Sequence, residues 1–280
     1  MLDKPLLEQA LSAVRKFQSD ASSSVSASHP TVREVLKRMS ALPTGSMLVG
    51  AGEDGLPFLL DLDQPASGAL LLCGDPGCGK TRLMQSMAVS LPVMNSSREC
   101  RYAVITTRPD EWKEKVIQPQ CLGVYDAAGE EAPRLVIKLL ALAEQRNEQN
   151  SSSGPAFVIF VDDLMAVQSW DQTAQVNLHW LIQYGALSRV WIVASAAAQD
   201  ALEIPYWIDA FRTRLIGHIT EMQTAEAVAI HARLDAGTIH AKNQFAIWFE
   251  DQWQIFRAPE PGSPILKDEV RDEYRHVMVR

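Results

Sequence analysis

Eight consecutive residues constrain this chain more than any other feature. Gly74-Asp75-Pro76-Gly77-Cys78-Gly79-Lys80-Thr81 fits the spacing G-x-x-x-x-G-K-[ST] at every position. It follows a compact apolar run, Ala69–Cys73, and precedes an amphipathic stretch through Leu83, Met84, Met87, Ala88 and Leu91. That context predicts a strand, a phosphate-binding loop and a helix that Pro92 stops. Glycines let the backbone turn so tightly that successive N–H groups point inward at an anion. The helix adds the positive end of its dipole beneath the same point. Gly74, Asp75, Pro76, Gly77, Cys78 and Gly79 then form the cradle. Lys80 would reach the β- and γ-phosphates of ATP, and the Thr81 hydroxyl would bind Mg2+. The cofactors expected are therefore ATP and Mg2+.

The rest of the chain repeats this alternation of short apolar strands and helices. Tyr102–Thr106, Leu122–Tyr125, Phe157–Val161, Val190–Ala194 and Thr213–Ile219 are predicted strands. Pro133 opens a long helix carrying Leu135, Val136, Leu139, Leu140 and Ala143. Strands that are apolar throughout, separated by helices, indicate a mainly parallel sheet covered on both faces. The fold class expected is α/β, a RecA-like P-loop NTPase. Residues 1–17 read as an amphipathic helix through Leu6, Leu7, Ala10, Leu11 and Val14, followed by a Ser/Ala-rich linker. Thr31 and Glu34 form a capping box for a second helix, and Thr220 with Gln223 a capping box for a later one. Phe245–Phe249 and Trp253–Phe256 predict a β-hairpin around Asp251-Gln252. The domain reading is 1–43 as an N-terminal helical arm, 44–258 as the P-loop domain, and 259–280 as a tail.

A second element carries chemistry. The apolar strand Phe157–Val161 ends in Asp162-Asp163, which delivers carboxylates to the edge of the sheet where the phosphates would lie. Asp162 is the expected Mg2+ residue and Asp163 the residue that polarises the attacking water. Ser195 and Gln199, on and after the next strand, are candidate γ-phosphate sensors. Arg212 and Arg214 are either surface salt-bridge partners or, in a ring, the arginine that reaches a neighbour's γ-phosphate. Cys78 lies inside the loop, so its oxidation is expected to block ATP.

Composition narrows the partners. Twenty-six basic against 34 acidic residues give a net charge of −8, which excludes a nucleic-acid-binding surface that is basic all round. No apolar run approaches the ~18 residues of a membrane span, and no signal-peptide block is present, so a cytoplasmic protein is expected. The four cysteines form no Cys-x-x-Cys pair, and His218, His231 and His240 have no metal spacing. The seven tryptophans read as core and interface residues.

These segments together resemble the FtsK/HerA superfamily of P-loop motors. The resemblance rests on Leu56-Pro57-Phe58-Leu59-Leu60-Asp61-Leu62 before the loop and on the helix ending Ala143-Glu144-Gln145-Arg146. It rests further on Leu164-Met165-Ala166 after the acidic strand, on Val190-Trp191-Ile192-Val193-Ala194-Ser195, and on Arg212-Thr213-Arg214-Leu215-Ile216. It covers roughly residues 45–258. It implies a homo-oligomeric ring, a hexamer in the family, with ATP at subunit boundaries and DNA or an export substrate as the cargo. It also implies that Arg214 faces the neighbouring subunit. Three positions depart from the family pattern: Asp163 replaces glutamate, Ala196 replaces glutamine and Ala186 replaces arginine. The shorter Asp163 predicts slow hydrolysis.

The leading expectation is an ATP-hydrolysing, ring-forming motor acting on DNA, with a protein partner recruited through the N-terminal arm. One alternative is an assembly switch that binds ATP with slow or no hydrolysis. Another is an AAA+ initiator or helicase loader, against which stand the long separation of Lys80 from Val161 and a chain ending in a hairpin.

Overall fold

The computed structural model describes residues 30–116, 119–150, 153–229, 239, 242–249 and 251–263. Ten strands form one sheet: β1 (Ser46–Gly52), β2 (Pro57–Asp61), β3 (Leu70–Gly74), β4 (Cys100–Thr106), β5 (Cys121–Asp126), β6 (Ala156–Asp162), β7 (Val190–Ala197), β8 (Thr213–Ile216), β9 (Gln244–Phe249) and β10 (Gln252–Arg257). Their order is β2-β1-β10-β9-β8-β3-β7-β6-β4-β5. From β8 to β5 every pairing is parallel. From β8 to β2 every pairing is antiparallel, and β9 and β10 form a hairpin. The sheet is thus mixed, a parallel half extended by an antiparallel half.

The central strands are buried on both faces, which is why their sequences are apolar throughout. Leu70, Leu72, Val158, Phe160, Trp191 and Val193 point to one face, against helix α2 (Lys80–Met94). Leu71, Cys73, Ile159, Val161, Ile192 and Ala194 point to the other. That second face is covered by α3 (Glu131–Glu148), α4 (Gln172–Tyr184), α5 (Ala198–Glu203), α6 (Pro205–Ile208) and α7 (Met222–Ala229). Sequential side chains of one strand therefore feed two separate cores, as period-two alternation requires.

Several expectations are modified. The helix after the loop runs through Pro92 to Met94. It ends at Asn95, whose backbone and side-chain N–H groups both reach Leu91 O. The capping box of Thr31 and Glu34 is formed, and opens α1 (Val32–Leu36). This helix is no loose appendage: Val32, Val35 and Leu36 are buried against Leu48 of β1 and Val89 and Val93 of α2. Thr220 does not cap with Gln223. Its N–H and hydroxyl both go to Asp75 Oδ2, at 2.8 and 2.6 Å. The helix of residues 1–17, and His231 and His240, lie outside the described residues.

The last predicted strand is shorter than expected for a reason that matters to the site. After Ile216 the chain bends around the phosphate loop: Gly217 N–H donates to Cys73 O, and Asp75 N–H to His218 O. Strand β3 therefore ends between β7 and this returning segment, with the loop projecting from the carboxyl edge of the parallel sheet.

Candidate nucleotide site

The loop itself is built from residues that few others could replace. Gly77 and Gly79 have φ of +81° and +110°, where a side chain is strained. A Cβ on Gly79 would also stand 2.3 Å from Asn243 Oδ1. Lys80 begins α2 and folds its ammonium over the loop, donating to Gly74 O at 2.7 Å and Asp75 O at 3.0 Å. That places the cation on the rim of the loop, above the N-terminal end of a 15-residue helix.

The two oxygen-bearing residues expected at the ion meet although 81 positions apart in the sequence: Thr81 Oγ1 donates to Asp162 Oδ1 at 3.0 Å. Asp162 is only 4% exposed. Its carboxylate is held from three sides, by Thr81, by Ser195 Oγ on the same oxygen at 3.0 Å, and by Trp112 Nε1 on Oδ2 at 3.2 Å. Register explains the arrangement. Asp162 ends β6, with Thr106 of β4 directly opposite it on one side, while Val161 pairs with Ala194 of β7 on the other. A hydroxyl and a buried carboxylate form a hard oxygen donor set that suits Mg2+. The residues present therefore fit the ion that the motif implies.

Asp163 turns away from its neighbour. It sits at φ +94° and its carboxylate accepts the N–H of Met165, capping the short 3₁₀ turn Leu164–Ser169. Its own N–H donates to Ser195 Oγ, so this serine links both aspartates. Burial pushes the Asp163 carboxyl above its ordinary range, and the nearby Asp200 and Asp162 charges add to the effect. Ser195 thus lies at the site. Gln199 is an exposed residue of α5.

Arg214 is a correction. The expectation put it on the surface facing a neighbour, but it is 6% exposed and bonded inside its own subunit. Its guanidinium donates to Val228 O at 2.7 Å and Ile208 O at 2.9 Å, and pairs with Asp209 at 3.3 Å. It ties β8 to α6 and α7. Arg212 is exposed, but it precedes β8, at the edge of the parallel strands opposite the loop. Cys78 is also corrected: it is 4% exposed, with its thiol pushed up by burial, so it is poorly placed to be oxidised. All four cysteines are free and buried.

Three site residues escaped sequence reasoning. Trp112, fully buried, lies tilted against Phe160 and reaches the Asp162 carboxylate. Thr220 anchors Asp75. Asn243, at φ +65°, donates its N–H to Cys78 O at 2.8 Å, so the segment entering the β9–β10 hairpin holds the loop from outside. Each acts across more than 30 positions of sequence, and no local pattern marks them.

A family model described as "ATPase family associated with various cellular activities (AAA)" matches residues 70–213, half of the chain. No curated protein sequence matches it. Among solved structures, EccC (ATPases 2 and 3) of Thermomonospora curvata, in complex with a signal sequence peptide, is similar at 13% identity and a TM-score of 0.60. The match covers 86% of this chain and 45% of that one. EssC (ATPases 2 and 3) of Geobacillus thermodenitrificans is similar at 12% identity and a TM-score of 0.65, over 92% of this chain and 52% of that one. The chain therefore spans about half the length of these two proteins. The pCW3 conjugation coupling protein TcpA, in its monomer form with ATPγS, is similar at 14% identity and a TM-score of 0.63, over 95% and 86% of the two chains. Among the described residues no helix is long and apolar enough to cross a membrane. With its phosphate loop, its paired Thr81 and Asp162 and a family match over half its length, the chain is a P-loop ATPase that belongs to the AAA family and shares its fold with EccC, EssC and TcpA.

Proposed function

We propose that this chain binds ATP with Mg2+ at Gly74–Thr81 and hydrolyses it slowly, as one subunit of a homo-oligomeric ring that moves DNA. The observation that carries the nucleotide reading is the contact of Thr81 with Asp162 beside Lys80. The strand order, with β7 between β3 and β6, supports a RecA-like core. In the proposed reaction a water attacks the γ-phosphorus in line, the bond to the β-phosphate oxygen breaks, and ADP and phosphate leave. The loop N–H groups and Lys80 hold the β- and γ-phosphates. Thr81 and Asp162 would hold Mg2+, which when bound neutralises charge on the phosphate oxygens. Ser195 and Trp112 keep the Asp162 carboxylate oriented.

Asp163 supports slow turnover. One of its oxygens is committed to Met165 N–H, and it is a methylene shorter than the glutamate of the family pattern. This same observation favours a second reading, an assembly switch in which ATP binding closes the ring and hydrolysis resets it rarely. DNA is proposed from fold-level kinship with a conjugation coupling protein. With a net charge of −8, contact would come from a local basic loop. We take 44–258 as the ATPase domain with 30–43 docked on it, 1–29 as a partner-recruiting arm, and 259–280 as the tail. After β8 the described chain passes through α7 and returns to the sheet as the β9–β10 hairpin.

The test is ATP turnover with and without duplex DNA, together with native mass in ATP. DNA-stimulated turnover by an oligomer supports the motor. Oligomers with negligible turnover support the switch, and a DNA-insensitive monomer contradicts both. Asp163→Glu is expected to raise turnover severalfold. Unchanged turnover would refute the role given to Asp163.

A further inference from the structure

Arg214 is an arginine committed to carbonyls of its own subunit. The strand next to β6 offers another. β4 ends at Thr106, directly beside Asp162. Arg108 stands two residues on, its N–H bonded to Thr106 Oγ1 at 3.1 Å. Its guanidinium Nη2 is 3.5 Å from Thr81 Oγ1, the hydroxyl that faces Asp162.

Three contacts hold the segment after β4 in place. Trp112 Nε1 reaches Asp162, Gln85 Nε2 of α2 donates to Glu111 O at 2.9 Å, and Arg108 Nη1 pairs with Glu111 Oε1 at 3.0 Å. The segment is thus pinned to both halves of the nucleotide site, to the helix after the loop and to the acidic strand. Arg108 is the charged end of that pinned segment, and it is exposed enough to meet a ligand.

We propose that Arg108 is a catalytic residue of this chain's own site, donating to the γ-phosphate oxygens of bound ATP. This rests on the nucleotide reading above. Lys80 and the loop N–H groups would hold the β- and γ-phosphates over the N-terminal end of α2, where Thr81 stands, and a planar guanidinium donates two N–H groups to such oxygens where an ammonium donates from a point. As charge builds on those oxygens during transfer, the same donors stabilise it. The contact favours a nucleoside triphosphate, because ADP lacks the γ-phosphate oxygens. Glu111 is a positioning residue: its carboxylate fixes the guanidinium plane at rest.

The experiment is titration calorimetry of the full chain with ATPγS and with ADP, at fixed Mg2+, for wild type, Arg108→Ala, Arg108→Lys and Lys80→Ala. For Arg108→Ala the expected result is an about tenfold loss of ATPγS affinity, with ADP affinity unchanged within about twofold. Arg108→Lys should fall between, since it keeps the charge and loses the fork. Arg108 is a surface side chain, and circular dichroism checks that the variants fold. Equal losses for both nucleotides, or none for either, overturn the proposal while a loss in Lys80→Ala leaves the nucleotide reading standing. No binding by wild type overturns both.

Discussion

Arg214 offers the sharpest test of how the described contacts convert into energy. Replacing it with alanine removes two charge-assisted hydrogen bonds, to Val228 O at 2.7 Å and Ile208 O at 2.9 Å, and strands both carbonyls in a buried site. The Asp209 contact adds little, because that carboxylate is 79% exposed. Bonds from a charged group contribute about 1.5–3 kcal/mol each, and burying the guanidinium, whose Nε has no partner among the described residues, offsets part of the sum. The net expectation is a loss of about 3 kcal/mol, which in a domain of this size lowers Tm by ~6–12 °C. Arg214→Met fills the same volume without a charge to desolvate and should lose about half as much. Urea unfolding with a constant m-value measures both. An Arg214→Ala protein that stays within about 0.5 kcal/mol of wild type but loses turnover would refute the structural role and restore the arginine to a neighbour's site.

Other outcomes follow from the same geometry. Asp163→Asn keeps the acceptor for Met165 N–H and removes a charge that burial disfavours. A carboxyl raised in the folded state weakens folding once pH exceeds its ordinary range. The variant should therefore melt higher than wild type at neutral pH, and the gap should close as pH falls below that range. A gap independent of pH would contradict this. Cys78, buried and with its thiol pushed up, should resist iodoacetamide in the native protein and react only on unfolding, as peptide mass mapping reads. Fast native alkylation would contradict the placement of its sulfur in the core. Thr220→Val removes the hydroxyl bond that anchors Asp75 and should weaken ATPγS binding by about threefold without lowering Tm by more than ~3 °C.

The parts of this fold that were legible are those in which local chemistry dictates geometry. The loop was legible because a left-handed turn demands Gly77 and Gly79, and the parallel strands because burial on both faces demands unbroken apolar runs. Asp162 was legible as the acid ending such a run. What escaped depends on where distant segments meet. Thr220 fits a local capping pattern with Gln223, but Asp75 offers a better acceptor from 145 positions away. Arg214 carries a charge, and a charge suggests a surface. It is buried because Ile208 and Val228 turn their carbonyls inward beneath it. Pro92 looks like a helix stop, but α2 continues two residues past it to Met94, where Asn95 supplies the end cap.

The central claim is that Gly74–Thr81 binds ATP through Lys80. Calorimetric titration of ATPγS with Mg2+ into wild type and Lys80→Ala tests it most directly. The account predicts a single site in wild type and an affinity at least about thirtyfold weaker in Lys80→Ala, the loss of an ammonium donating to phosphate. Equal affinities for the two proteins would contradict it.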